Sequence, residues 1–168
     1  MADREYQFQC SLCRWLDVYY PHAYYRSDLG GIRLTKGLAI KAKNIQKHRG
    51  HPDFAIYEPS GKFPCLILEL KIDESDVFLK RGGIPSGDKG THLLEQVAMI
   101  LMLRERGFAV DLTIGQQQTE QMIGRYLDSD FDMACYTGNV SRIIQEATED
   151  QIRMAQAGHL VVYDYIRG

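Results

Sequence analysis

Apolar and polar positions recur with different periods along this chain, and each period predicts an element. Across residues 3–20, Glu5, Gln9, Leu12 and Leu16 fall at i, i+4, i+7 and i+11, one face of a helix that is polar at its N-terminal end. Pro21 stops that helix because its ring lacks the N–H that another turn needs, and Gly30-Gly31 marks a turn. A short strand is expected at 32–34. A helix from about 37 to 48 follows, with Thr35 as its cap and Gly50 as its stop. Residues 54–57 and 63–71 read as two strands joined by the turn Glu58-Pro59-Ser60-Gly61, an antiparallel hairpin. The polar, glycine-rich stretch 73–90 is expected to be a mobile loop. Residues 92–106 are apolar around most of a helix and so predict a buried one, ended by Gly107. A strand at 108–114 and a helix at 117–127 complete the pattern. Beyond these, residues 131–168 read as an appendage with a helix near 140–157 and an apolar strand at 160–165.

The order α, short β, α, β-hairpin, α, β, α predicts an α/β domain built around a small mixed β-sheet flanked by helices. At 168 residues the chain is long enough for one domain with its own core. No segment approaches the roughly 18 uninterrupted apolar residues of a membrane span, so no membrane partner is expected. The opening Met-Ala-Asp-Arg-Glu lacks an apolar signal region, which makes an intracellular, cytoplasmic protein the expectation. Cys10 and Cys13 have C-x-x-C spacing but no second ligand pair, so Cys10, Cys13, Cys65 and Cys135 are expected to be buried free thiols.

Charge changes the picture more than composition does. The net charge of −2 is unevenly spread: residues 31–52 hold six basic residues (Arg33, Lys36, Lys41, Lys43, Lys47, Arg49) and no acid, against 14 basic and 22 acidic residues elsewhere. A local polyanion-binding surface is one reading of that cluster, and a solvated helix face is the other.

The most telling chemistry lies in two short motifs, His51-Pro52-Asp53 and Glu69-Leu70-Lys71, the second inside the apolar run 65–71. Side chains alternate across a strand, so Glu69 and Lys71 share a face while Leu68 and Leu70 point into packing. A carboxylate and an ammonium in such a strand are costly unless paired, bound to a metal or open to a cleft. Asp53 opens the neighbouring hairpin strand, and Pro52 fixes the backbone before it. Two convergent carboxylates suit a hard cation such as Mg²⁺, with the Leu70 carbonyl as a third oxygen. Such an ion activates water and neutralises charge on a scissile phosphate, and Lys71 would orient that water and stabilise the transition state. With 22 acids and eight lysines, about one acid-x-Lys is expected by chance, so the three-residue motif carries little alone. Its place on a hairpin strand, with Pro52-Asp53 leading into the partner, is far more specific. An edge-strand ion pair between Glu69 and Lys71 is the plain alternative.

With these stretches in hand, the chain resembles the VRR-NUC family of virus-type replication-repair nucleases, within the PD-(D/E)xK superfamily. The matching stretches are Glu5 with Gln9, Gly30-Gly31-Ile32-Arg33, Arg49-Gly50-His51-Pro52-Asp53, 66–71, Thr91-His92-Leu93-Leu94-Glu95-Gln96, 103–110 and the helix ending at Leu127. The resemblance covers about residues 3–128. It implies a restriction-endonuclease-like PD-(D/E)xK core over 1–130, with 131–168 a C-terminal extension packed on or appended to the same domain. It further implies a metal-dependent DNA endonuclease using Mg²⁺ or Mn²⁺. Asp53 and Glu69 look like its metal-binding carboxylates, Lys71 like its catalytic lysine and Gln96 like the glutamine that positions water or phosphate. Glu5 is similar to the first-helix glutamate that reaches the metal shell.

His92 and His51 stand near these positions, with helix capping and turn polarity as their ordinary roles. Lys80, Arg81 and Lys89 in the long loop after Lys71 are candidate phosphate contacts. Stand-alone domains of this kind imply a homodimer acting on branched DNA such as four-way junctions in replication, recombination or repair, of phage origin in a bacterial host. A DNA-binding module or dimeric scaffold with little or no nuclease activity is the alternative from another class.

Overall fold

The computed structural model of the chain describes residues 2–28, 35, 37, 41, 51–128 and 131–158. Helix α1 (Ala2–Tyr19) comes first, followed by strands β1 (Tyr25–Ser27), β2 (Phe54–Ile56) and β3 (Leu66–Lys71). Helix α2 (Gly87–Glu105) leads to β4 (Ala109–Ile114), and α3 (Gly115–Asp128), α4 (Asn139–Glu146) and α5 (Glu149–Gly158) follow. The strands form one sheet in the order β1-β2-β3-β4. The first three pair antiparallel, whereas β3 and β4 are parallel. A parallel pair needs a long crossover, and α2 supplies it.

The period-two pattern of β3 builds the layers. Leu66, Leu68 and Leu70 pack with Phe8, Leu12 and Leu16 of α1 and with Met122, Ile123 and Tyr126 of α3. Ile67 turns to the other face, where Leu94, Val97 and Ile100 of α2 pack with Val140, Ile143 and Ile152 of α4 and α5. The sheet thus lies between two helical layers with a core on each side. Glu69 and Lys71 have the parity of Ile67, so they face α2. Among the described residues, no helix is long and apolar enough to cross a membrane.

Several expectations are refined. The stretch 73–86 has apolar anchors, because Val77, Phe78 and Ile84 are buried in the core. It is also tied down by polar contacts. The Gly83 amide donates to Glu146 at 2.7 Å, and the Arg142 guanidinium sits 3.7 Å from the centre of the Phe78 ring. The helix expected over 140–157 is two helices. Thr148-x-x-Gln151 forms a capping box that starts the second: Gln151 N donates to Thr148 Oγ1 at 3.2 Å, and Thr148 N to Gln151 Oε1 at 2.9 Å. Of the cysteines only Cys65 is buried; Cys10, Cys13 and Cys135 are partly exposed. The strand expected at 32–34, most of the helix at 37–48 and the strand at 160–165 lie outside the described residues.

Residues 131–158 contribute to both cores. The Phe131 ring meets Phe63 and Tyr126 edge-on at 5.7 and 5.3 Å. Asp111 of β4 is wholly buried. It pairs with Arg104 at 2.8 Å and accepts from the Thr137 amide at 2.7 Å. Arg104 also donates to the Val110 carbonyl at 2.6 Å and stacks 3.8 Å from the centre of the Tyr136 ring. One carboxylate therefore joins the end of α2, strand β4 and the segment leading into α4.

The first turn of α2 runs so close to residue 85 that a Cβ at Gly90 would overlap the Pro85 carbonyl oxygen. Gly90→Ala is expected to destabilise the fold by about 1–3 kcal/mol through backbone displacement, measurable by urea unfolding. Wild-type stability in Gly90→Ala would show that the loop yields without cost.

Candidate active site

Strand β3 runs past the end of its partner. Phe54, the first residue of β2, stands opposite Leu68, so the edge of β3 beyond Leu68 lacks a strand beside it on that side. Asp53 takes the place of that strand: its Oδ2 accepts the Leu70 N–H at 3.0 Å. Pro52, buried just before it, holds the approach to β2 extended. In an extended strand the N–H and C=O of one residue face the same edge, so the Leu70 carbonyl also turns toward the Asp53 side.

Glu69 is 1% exposed. Its Oε1 accepts from Lys71 Nζ at 2.9 Å and from Gln96 Nε2. Lys71 Nζ also donates to Gln96 Oε1 at 3.0 Å, which closes a ring of three side chains between β3 and α2. Glu69 Oε2 is buried without a hydrogen-bond partner among the described residues. Buried acceptors are almost always satisfied, so this oxygen marks a place for a donor or a cation.

The electrostatics agree. Burial, then the neighbouring Glu69 carboxylate, pushes Asp53 up to about 8, against the pull of the Leu70 N–H. Burial likewise raises Glu69 above the ordinary carboxylate range, although Lys71 opposes it. Burial acts to lower Lys71, but the charge and hydrogen bond of Glu69 outweigh it, and the ammonium sits above its ordinary value. Both carboxyls thus resist ionising beside a single ammonium, a penalty that a divalent cation would relieve.

Among the described residues, no three His, Cys, Asp or Glu side chains converge closely enough to hold a metal ion. The oxygens that could hold an ion here are two carboxylates and a backbone carbonyl. An all-oxygen set that leaves positions for water suits Mg²⁺ or Mn²⁺ rather than a thiolate- or imidazole-loving metal.

A cleft of about 220 Å³ opens beside this ring, lined by Glu5, Leu70, Lys71, Lys89, His92 and Gln96 among others. The structure therefore brings Asp53, Glu69, Lys71 and Gln96 together and sets the exposed Glu5 in the cleft wall. His92 is half-exposed and lies 3.4 Å from Glu95. His51 turns its ring to the Pro52 carbonyl at 3.2 Å, and neither it nor Lys80 or Arg81 lines the cleft. Lys41 is exposed, whereas Arg33, Lys36, Lys43, Lys47 and Arg49 lie outside the described residues.

Two contributors escaped the sequence reading. Arg4 lines the cleft and pairs with Asp73 at 3.1 Å. Asp28 follows β1, and its backbone N–H donates to the Asp53 carbonyl at 2.7 Å. Placing β1 at 25–27 would have revealed Asp28, but three residues with no apolar run give that strand little signal.

Asp53 and Glu69-x-Lys71 thus sit together at one end of the two central strands of a mixed sheet held between helical layers. A solved structure described as a VRR_NUC domain protein has this fold: it matches 76% of this chain and 92% of its own, with a TM-score of 0.52 and 19% identity. At that identity the likeness concerns the fold, and it supports the VRR-NUC resemblance carried by the motifs. No protein-family model matches the sequence, and no curated protein matches it.

Proposed function

We propose that this chain is a metal-dependent DNA endonuclease that hydrolyses phosphodiester bonds. The observation that carries the reading is the buried Glu69–Lys71–Gln96 ring beside Asp53, with Glu69 Oε2 left without a donor among the described residues. The nuclease fold of the structural neighbour supports it. Asp53, Glu69 and the Leu70 carbonyl would hold Mg²⁺ or Mn²⁺. Such an ion, when bound, activates a water and neutralises charge on a phosphate.

The side chains do the rest. Lys71 has three protons on Nζ, and two are engaged by Glu69 and Gln96. The third is left for the attacking water or the phosphoryl oxygen on which charge develops. Gln96 fixes that ammonium by accepting from it while donating to Glu69. Glu5, from the cleft wall, would reach the ion through water. Arg33, Lys36, Lys41, Lys43, Lys47 and Arg49 would bind DNA phosphates, an attraction that salt weakens by counterion competition.

Branched DNA as the substrate, a homodimer with two symmetric sites and a phage-encoded origin are proposed from the family resemblance by analogy, and a cytoplasmic setting from the sequence. Duplex, flap, splayed and four-way DNA incubated with Mg²⁺ or Mn²⁺ test the reading. Cleavage concentrated on the branched substrates is the expected result, and no cleavage above a Lys71→Ala control would sink it.

Gln96→Ala should be intermediate. It removes one acceptor from Lys71 and one donor from Glu69, so cleavage is expected to fall about 10–100-fold, with a loss of only about 1 kcal/mol to the fold. Full activity in Gln96→Ala protein would remove the glutamine from the mechanism.

A further inference from the structure

The strand register sets a third acid in line with the first two. Ser27 stands opposite Phe54, and Phe54 opposite Leu68. One step beyond these pairs Asp28 stands opposite Asp53, and Asp53 comes level with Glu69 just past the end of the β2–β3 ladder. The hydrogen bond from Asp28 N to the Asp53 carbonyl continues the ladder to that step. Directly opposed residues share a face, with Cβ atoms about 4.5–5.5 Å apart. Like charges facing each other in this way are destabilising.

A row of acids is not by itself a site, but Glu69 at its inner end supplies an independent pointer. Lys71 and Gln96 engage Oε1, while Oε2 is buried without a donor among the described residues. The row thus runs from an unsatisfied buried oxygen at Glu69, past Asp53, to Asp28 at the outer end.

We infer that Asp28 is a positioning residue of the divalent-cation site, acting on the ion held by Asp53 and Glu69 through that ion's water ligands. The three side chains do not converge closely enough to ligate one ion together, which excludes Asp28 as a direct third ligand in this geometry. A hard cation of the Mg²⁺ type keeps several waters, and an acid at the outer end of the row is placed to accept their hydrogen bonds. Such outer partners typically contribute about 10–100-fold to affinity. Strand β1 is anchored where this role needs it, because Ser27 Oγ donates to the buried Gln9 of α1 at 2.8 Å. This inference rests on the proposed metal site.

Calorimetric titration of Mn²⁺ into full-chain wild-type, Glu69→Gln and Asp28→Asn proteins tests it, with thermal unfolding of each in EDTA. Asp28→Asn is expected to bind Mn²⁺ about 10–100-fold more weakly than wild type. Its melting temperature in EDTA should not fall markedly, because the assigned role is exerted through the bound ion. Asp28→Glu, which keeps the charge, should recover most of the affinity. An Asp28→Asn affinity within about two-fold of wild type, with Glu69→Gln binding abolished, overturns this inference and spares the metal site. Failure of wild type itself to bind Mn²⁺ overturns both. A marked fall in the EDTA melting temperature of Asp28→Asn would overturn the positioning role and assign Asp28 to the fold instead.

Discussion

Asp53→Asn protein is expected to cleave DNA at least about 10²–10³-fold more slowly than wild type while unfolding at the same or a higher temperature without metal. The two effects have opposite signs for one reason. Asparagine keeps an oxygen for the Leu70 N–H that the Asp53 carboxylate accepts. It also removes a carboxyl whose ionisation is disfavoured by burial and by Glu69, whose own Oε2 has no donor among the described residues. Without a cation a carboxylate there is disfavoured, so a neutral amide in its place costs the folded state little. With a cation the carboxylate would be a ligand, and its loss would remove the chemistry. A residue retained for structure would lose stability and activity together. A joint fall in melting temperature and cleavage would therefore move Asp53 out of the site.

Arg104→Ala should have the largest effect on stability, about 3–5 kcal/mol, because it strands a buried carboxylate. Asp111 is wholly buried, and Arg104 is its cationic partner at 2.8 Å. The stacking on Tyr136 goes with it. For a chain of this size that loss corresponds to a fall of roughly 10 °C in melting temperature. Its pH dependence has a definite sign. Burial raises Asp111 above the ordinary carboxylate value, against the pull of the Thr137 amide and Arg104. A group raised in the folded state stabilises most below its unfolded value of about 3.9, and that contribution is lost as pH rises through the folded value. Removing Arg104 raises Asp111 further. The deficit should therefore be greatest at neutral pH and shrink as pH falls toward the ordinary carboxylate range, where a proton replaces the arginine. A deficit that stays constant between about pH 8 and pH 5 would contradict the pairing.

Much of this was legible in the sequence, for identifiable reasons. Helix α1, the β2–β3 hairpin, α2, β4 and α3 each have an apolar period long enough to declare itself. The parity of Glu69 and Lys71 follows from strand alternation alone. What escaped depends on contacts between distant segments. Strand β1 is three residues, Tyr25-Arg26-Ser27, recognisable only by its pairing with β2, and Asp28 was hidden with it. The anchors of the 73–86 stretch are isolated among glycines and charges. The break between α4 and α5 lies within a continuous helical pattern and is visible only as Thr148-x-x-Gln151. The unsatisfied Oε2 of Glu69 and the capping of the Leu70 N–H by Asp53 need coordinates, since sequence gives residue types but not which oxygen meets which donor.

The central claim is that Asp53, Glu69, Lys71 and Gln96 form a cation-dependent site that cuts DNA. It is tested most directly by the strand-cleavage rate of wild-type protein in Mg²⁺ and in EDTA, beside Glu69→Gln protein in Mg²⁺. Cleavage by wild type in Mg²⁺ alone is the predicted result. Cleavage in EDTA, or by Glu69→Gln protein at the wild-type rate, would contradict it.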